Sequence, residues 1–566
     1  MMHTTSKRVG EAGTFRLLTI AILGIFVCGP VGLIFYQSLL DGPFFDAMSS
    51  MSLDSYRFLL GDSEFYRALF TTFIFAFGMV VIAVPLGAAI AFLVTRTDLK
   101  GRKWLETIVL MPMFISAIVL GFGYTVSIGP AGFVSLAFQS VFGFVPWNIY
   151  TLTGLIIIAG LSHVPHVYLY VSAAMRTLPA DLEEAARTSG AKIWQVALHV
   201  TWPLVMPSLV FATALNVLLA FEAFGLPLVL GDPSGVLVLT TYIYKLTSLF
   251  GLPAYNLMAA VAVILLALTF PLVFVQRIIL KRARKFATVG GKGSRVVRIR
   301  LGKSWQFAAW AIIGTWLVAS VVLPIAGITV RAFVDTWGMN VNLLEHITLQ
   351  NFQALFEVDA LSRGLINTAL LAVLGGALAV LIYLIIGLAN HRWHGPASTS
   401  LDYMVLLPRA LPGLLIGLAM FWVFLFVPPL QPFRTTLVSL LVAYVIIGLS
   451  YGLRLIQASL LQVAPELEEG ARTVGATIYQ TWRSVLIPII RPGLLGAWTM
   501  IMIMFLKEYA TGVYLLTAGT EVIGTLIVSQ LASGALEIIA ALSFISIVLT
   551  TAGLAIATRL GATKHD

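Results

Sequence analysis

Cysteine is almost missing from this chain. Cys28 is the only one in 566 residues, which excludes an intramolecular disulfide and any cysteine-held metal cluster. Charge is nearly as scarce: Asp, Glu, Lys and Arg make up 11% of the residues, against about 25% in soluble domains. The acids are the rarer sign, 25 against 35 Lys and Arg, for a net charge of +10. That balance would suit nucleic acid, but no basic-aromatic surface module accompanies it, so no nucleic-acid partner is expected. A phosphate-binding loop is also missing. Gly302-Lys303-Ser304 has the right ending, but Val297 stands where the loop needs a glycine. No nucleophile is paired with a base, so no catalytic residues are expected. His163 and His166 stand three apart without an acid or cysteine beside them, so no metal site is expected either.

What the chain has is apolar length. Hydrophobic residues make up 59% of it, more than a soluble fold of this size buries, so its solvent is lipid. Twelve runs are long enough to cross a bilayer. In the first half they are 15–38, 67–94, 105–128, 148–172, 203–230 and 255–279. In the second half they are 305–331, 364–390, 401–427, 434–458, 491–517 and 536–559. No alternating barrel pattern is present and open sheet edges cannot face lipid, so the spans are read as helices. The fold class is an all-α polytopic membrane protein. No small-residue cleavage pattern surrounds Cys28, so the first run is read as a retained span. The loop 95–104 holds four basic residues and 277–303 holds ten with no acid, whereas loop 39–64 carries Asp41, Asp46, Asp54, Asp62 and Glu64 against Arg57. The positive-inside bias puts the basic loops and both termini in the cytoplasm.

The chain repeats itself. Residues 181–207 (DLEEAARTSGAKIWQVALHVTWPLVMP) and 466–492 (ELEEGARTVGATIYQTWRSVLIPIIRP) match at a constant shift of 285, including Glu183, Glu184, Ala186, Arg187, Gly190, Gln195 and Pro203. Upstream the shift is 296, pairing Leu69 with Leu365, Thr72 with Thr368 and Pro112 with Pro408. The difference falls in loop 129–147, read as a short amphipathic helix. The chain therefore divides into a first half, 1–280, a basic Gly-containing linker, 281–303, and a second half, 304–566. The halves run in the same direction, which implies a pseudo-twofold axis along the membrane normal and a pathway between them. Within each repeated segment, Pro179 and Pro465 stand at a helix start. Paired glutamates fall in the first turn, and Gly190 and Gly475 end the helix. A second short helix, 191–200 or 476–485, is expected before Pro203 or Pro488 opens the next span. A polar helix pair lying on the membrane surface can dock into a groove on a soluble partner.

These residues carry a resemblance. Glu184-Ala185-Ala186, then Gly190, then Val200-x-Trp202-Pro203 resembles the EAA loop of bacterial ABC importer permeases. Glu469-Gly470-Ala471, then Gly475, then Val485-x-Ile487-Pro488 is a second copy. The copies depart from the pattern at Gly470 and Trp202. The resemblance implies an inner-membrane permease with two coupling sites, one made of Glu184, Ala185, Ala186 and Gly190, the other of Glu469, Gly470, Ala471 and Gly475. It further implies two copies of a separate ABC ATPase, which would hold the ATP and Mg that this chain lacks a site for, and a periplasmic solute-binding protein. The single fused chain resembles permeases for ferric iron, thiamine, 2-aminoethylphosphonate and sugar phosphates, and 237–246 with 506–516 favour the ferric branch. The alternative class is an ion-coupled secondary transporter, which gives no reason for a duplicated polar helix.

Charges inside spans mark function by default. Glu222 aligns with Lys507 at the shift of 285, with Glu508 beside it. They are expected to pair at a gate, or else to sit hydrated at the outer mouth. Arg409 is expected either to attract an anionic substrate or to satisfy carbonyls freed by Pro408 and Pro412.

Overall fold

A computed structural model describes residues 2–178, 180–247, 253–286, 298–339, 341–393 and 395–559. Pro179, the linker glycines Gly290, Gly291 and Gly293, and the rest of 287–297 lie outside the described residues. Among those described there is no strand, only three isolated bridges between loops. The described residues hold eleven helices long and apolar enough to cross a membrane, or twelve if the bent pair Pro396–Ala410 and Gly413–Phe426 counts as one span. Hydropathy alone thus locates nearly every span.

The third span of each half departs from a simple helix. In the second half it is broken by 106° between Ala410 and Gly413. In the first half the corresponding run is three pieces, Arg102–Ile108, Met111–Phe114 and Ala117–Ile128. Pro112 falls among the first-half pieces, Pro408 where the second-half helix gives way to the short turn Leu407–Ala410, and Pro412 in the break itself; at each a missing N–H and the ring clash prevent a continuous ladder. Two further expectations are revised. The fifth spans are shorter than their apolar runs, ending at Glu222 and Leu506. Beyond them the chain folds into separate short helices, Leu239–Lys245 and Ile523–Ser533. The second short helix of each repeated segment is likewise not a separate element. Ile193–Val196 and Ile478–Thr481 run through a π turn, Ala197–Thr201 or Trp482–Leu486, directly into the fifth span. A π turn accommodates an irregular stretch of the ladder without ending the helix, and Pro203 and Pro488 stand just beyond it. Loop 129–147 does form a helix, Phe133–Phe142.

The described chain packs as two compact units. One comprises Met1–Ser55, Tyr255–Val263 and Phe352–Asp566; the other comprises Tyr56–Ala254 and Ile264–Asn351. Each unit therefore takes the first span of the opposite sequence half. In the second unit, the seventh span, Lys303–Ala332, is fastened to the helices of the first half. Trp316 Nε1 donates to Leu161 O at 3.0 Å and Tyr124 Oη donates to Ala319 O at 2.9 Å. The second and fourth spans, Ser63–Arg96 and Leu152–Arg176, pack closely there. A Cβ on Gly87 would lie 2.6 Å from Val167 Cβ, so only glycine permits this approach. In the other unit, Arg16 on the first span donates to Ala389 O at 3.2 Å and stacks on Trp393 at 5.0 Å.

A threonine repeats in both units. Leu239 N donates to Thr72 Oγ1 and Ile523 N donates to Thr368 Oγ1, each at 2.9 Å. The pair aligned at the shift of 296 thus performs one task twice, satisfying the first amide of the short helix after the fifth span. At the same end of the second span, Asp62 caps the helix through the amides of Glu64 and Phe65 and accepts the Tyr242 hydroxyl at 2.6 Å. Lys245 Nζ pairs with Glu64 at 2.5 Å. Burial pushes the Asp62 carboxyl up, but the Tyr242 hydroxyl, the two amides and Lys245 outweigh it and leave it below its ordinary value.

Candidate functional site: the duplicated polar helix

Each repeated segment forms the same object. Ala180–Thr188 and Pro465–Thr473 are nine-residue helices. Each stops at a left-handed glycine, Gly190 with φ 84° and Gly475 with φ 86°. Glycine adopts this region without the steric cost a Cβ brings. The last turns close in register: Gly190 N bonds to Arg187 O and Ala191 N to Ala186 O, while Gly475 N bonds to Arg472 O and Ala476 N to Ala471 O. The next helix starts differently in the two copies. Thr477 Oγ1 accepts from Gln480 N while Gln480 Oε1 accepts from Thr477 N, a full capping box. In the first copy Lys192 N donates to Gln195 Oε1 at 2.8 Å, but lysine has no oxygen to return the bond.

The helices are almost wholly exposed. Glu184, Ala185, Glu469 and Gly470 face outward, and so do Leu182 and Leu467. Ala186 and Ala471 are half-buried, and both turn glycines are open on their Cβ side. Beside the first helix lies an open groove lined by Ala186, Ser189, Gly190, Gln195, Val196 and His199. Six of the eight expected residues are thus exposed, three in each copy at sequence-equivalent positions, and none belongs to the apolar core.

What the sequence reading missed is the neighbour of each exposed glutamate. Glu183 is 6% exposed and Glu468 is 4% exposed. Glu183 Oε2 pairs with Arg96 Nη1 at 3.2 Å, and its Oε1 accepts from Thr201 Oγ1 at 2.9 Å. Glu468 Oε1 meets His391 Nε2 and accepts from Arg392 Nε, both at 2.8 Å. Arg96 and Arg392 correspond at the shift of 296, a match present in the sequence but not drawn from it.

The intramembrane candidates sit at helix ends. Glu222 is the last residue of Trp202–Glu222, and Lys507 follows the last residue of Ile487–Leu506. They belong to different compact units. Glu508 turns its carboxylate onto its own loop, accepting from Thr511 N and Oγ1 at 3.0 and 2.9 Å. Arg409 lies in the short turn Leu407–Ala410 at the broken third span, its guanidinium 5.5 Å from the Tyr451 ring. His163 Nδ1 bonds to Ala159 O of its own helix, and its ring stacks on His166 at 5.3 Å.

A helical membrane chain that carries one exposed polar helix twice, between the fourth and fifth span of each half, defines a two-half transport permease. The chain belongs to the family of binding-protein-dependent transport system inner membrane components, whose model matches residues 63–285 and 379–563, one copy of the repeated segment in each stretch. It is the membrane permease of an ABC importer. It is 24% identical over 541 residues to the ferric transport system permease protein FbpB of Actinobacillus pleuropneumoniae, covering 95% of this chain and 76% of that protein. It is 24% identical over 440 residues to the Fe(3+)-transport system permease protein FbpB 2 of Haemophilus influenzae, covering 77% of this chain and 78% of that one. A solved bacterial alginate ABC transporter, in complex with an alginate pentasaccharide-bound periplasmic protein, has a chain that aligns to 51% of this one with 20% identity and a TM-score of 0.41.

Proposed function

We propose that the chain forms the translocation pathway of an ATP-driven importer for ferric iron. Two ATPase subunits dock on Ala180–Gly190 and Pro465–Gly475, and a periplasmic solute-binding protein delivers the substrate on the opposite side. The observation that carries this reading is the duplicated helix itself, exposed, polar and ended by a left-handed glycine in both copies. A dimeric ATPase needs two docking sites, and one polypeptide supplies both. Glu184, Ala185, Ala186 and Gly190 make one of them, and Glu469, Gly470, Ala471 and Gly475 make the other. ATP binding closes the ATPase dimer and biases the permease between two states that differ in access. Both termini lie with the docking helices in the cytoplasm of a bacterial cell, which the basic loops support. The ferric substrate is supported by the two relatives named above.

Glu222 and Lys507, at equivalent positions of the two repeats, are the charges proposed to form or flank the gate. The test is charge reversal. Glu222→Lys and Lys507→Glu should each lower uptake while the ATPase stays bound; native uptake in both variants would contradict a gate role. The substrate is tested in proteoliposomes holding the permease, its ATPase and its binding protein. Radiolabelled ferric ion should accumulate only with internal ATP and binding protein, and excess molybdate, phosphonate or thiamine should not compete. ATP-dependent accumulation of one of those solutes instead of iron would overturn the substrate.

A further inference from the structure

The docking helices have no apolar core of their own. In Leu182–Gly190 the only buried residue is Glu183, and in Pro465–Gly475 it is Glu468. A surface helix is ordinarily held by an apolar stripe; here one carboxylate takes that place in each copy. In the first copy the carboxylate joins three elements. It lies on the docking helix, pairs with Arg96 at the end of the second span, and accepts from Thr201 in the π turn that opens the fifth. In the second copy it takes His391 and Arg392 from the end of the second span of that half, and Arg392 Nη2 also donates to Val463 O, just ahead of the docking helix.

Two features argue that geometry rather than stability is being fixed. Arg392, at φ 50°, is the only non-glycine residue with a left-handed backbone among those described. Such a conformation persists where its surroundings over-determine it. Among the described residues the Nε and Nη2 atoms of buried Arg96 have no hydrogen-bond partner, and Glu183 is the one acid paired with it. Buried ion pairs are weak contributors to stability, but losing one partner is costly. A fold seeking stability alone would place leucine at 183 and 468.

We propose that Glu183 and Glu468 are positioning residues for coupling, each the pin through which a docking helix moves as one body with the end of the second span of its own half. The inference rests on the ATPase-docking reading above. The exposed Glu184 and Glu469 meet the ATPase, and the buried glutamate one residue earlier passes the displacement into the membrane.

The test uses the complete complex of permease, ATPase and binding protein in proteoliposomes and reads solute imported per ATP hydrolysed. In Glu183→Gln/Glu468→Gln the ratio should fall about tenfold while the ATPase stays in the purified complex, the scale of a coupling energy carried by a few residues. The exchange Arg96→Glu/Glu183→Arg, placed on Glu468→Gln, should recover part of the loss caused by Glu183→Gln on that background. If the glutamine variants do not assemble, Glu183→Asp and Glu468→Asp replace them, and the shorter carboxylates should lower the ratio about threefold. A ratio equal to that of the native complex, in either series, overturns the proposal. So does loss of the ATPase from assembled glutamine variants, which would make the glutamates docking contacts. A native permease that binds no ATPase would instead count against the docking reading itself.

Discussion

At Gly190 and Gly475 the chain turns with φ near +85°, and a Cβ at either would meet no atom within 4 Å. A substitution there costs backbone strain alone. Alanine should cost about 1 kcal/mol and asparagine, which tolerates the left-handed region, less. Since about 1 kcal/mol is roughly a fivefold shift in a local equilibrium, amide exchange of 182–188 should rise about fivefold in Gly190→Ala and less in Gly190→Asn. Equal rates in the two variants would show that the turn is not what holds the helix. These glycines were legible in the sequence because a turn needs a particular residue type at a particular spacing. Glu183 was not. In the string LEEA either acid reads equally well as a first-turn charge, and its partner Arg96 stands 87 residues away. Burial, which separates Glu183 from Glu184, arises only once distant elements meet.

The difference between the two docking segments belongs to the element scale. The second copy opens its short helix with the Thr477–Gln480 capping box, and the first has only half of one at Lys192. Lys192→Thr should stabilise the first turn by about 1 kcal/mol and Thr477→Ala should destabilise the second by as much, seen as slower and faster amide exchange of 195–201 and 480–486. At the opposite end of the second span, the Asp62–Tyr242 bond sets a pH window. The lowered carboxyl contributes stability above its unfolded value, near pH 4, and this is lost as pH falls through the still lower folded value. Burial, together with Asp62, raises the Tyr242 hydroxyl, so its contribution is present below about pH 10. Protection of Leu239–Lys245 amides should therefore hold from weakly acidic to weakly alkaline pH and fall in acid; Asp62→Asn should remove the acid dependence. Apolar run length located nearly every span, since lipid thickness fixes it. It could not show that the third spans break beside Pro112 and at Pro412, because a hydropathy window does not register a missing N–H.

On the scale of the whole chain, the compact units cut across the sequence halves: residues 1–55 pack with 352–566, and the seventh span packs with the first half. The repeat was visible as two constant shifts, but which helices pack together was not, since lipid-facing and partner-facing leucines look alike. Residues 298–566 expressed alone should lack the helix that Arg16 anchors to Ala389 and should aggregate in detergent; co-expressed with 1–286 they should purify as a monodisperse pair. A monodisperse 298–566 fragment on its own would contradict the exchange of first spans. The central claim, that the duplicated helix is where an ATPase drives this permease, is tested most directly by disulfide cross-linking. With Cys28→Ser removing the native thiol, Ala186→Cys and Ala471→Cys each place one thiol on a docking helix, to be joined to a thiol in the cleft of the co-expressed ATPase. Both positions should cross-link and the trapped complex should lose binding-protein-stimulated ATP hydrolysis, which reductant restores. No cross-link at either position in a complex that still couples hydrolysis to uptake would contradict the account.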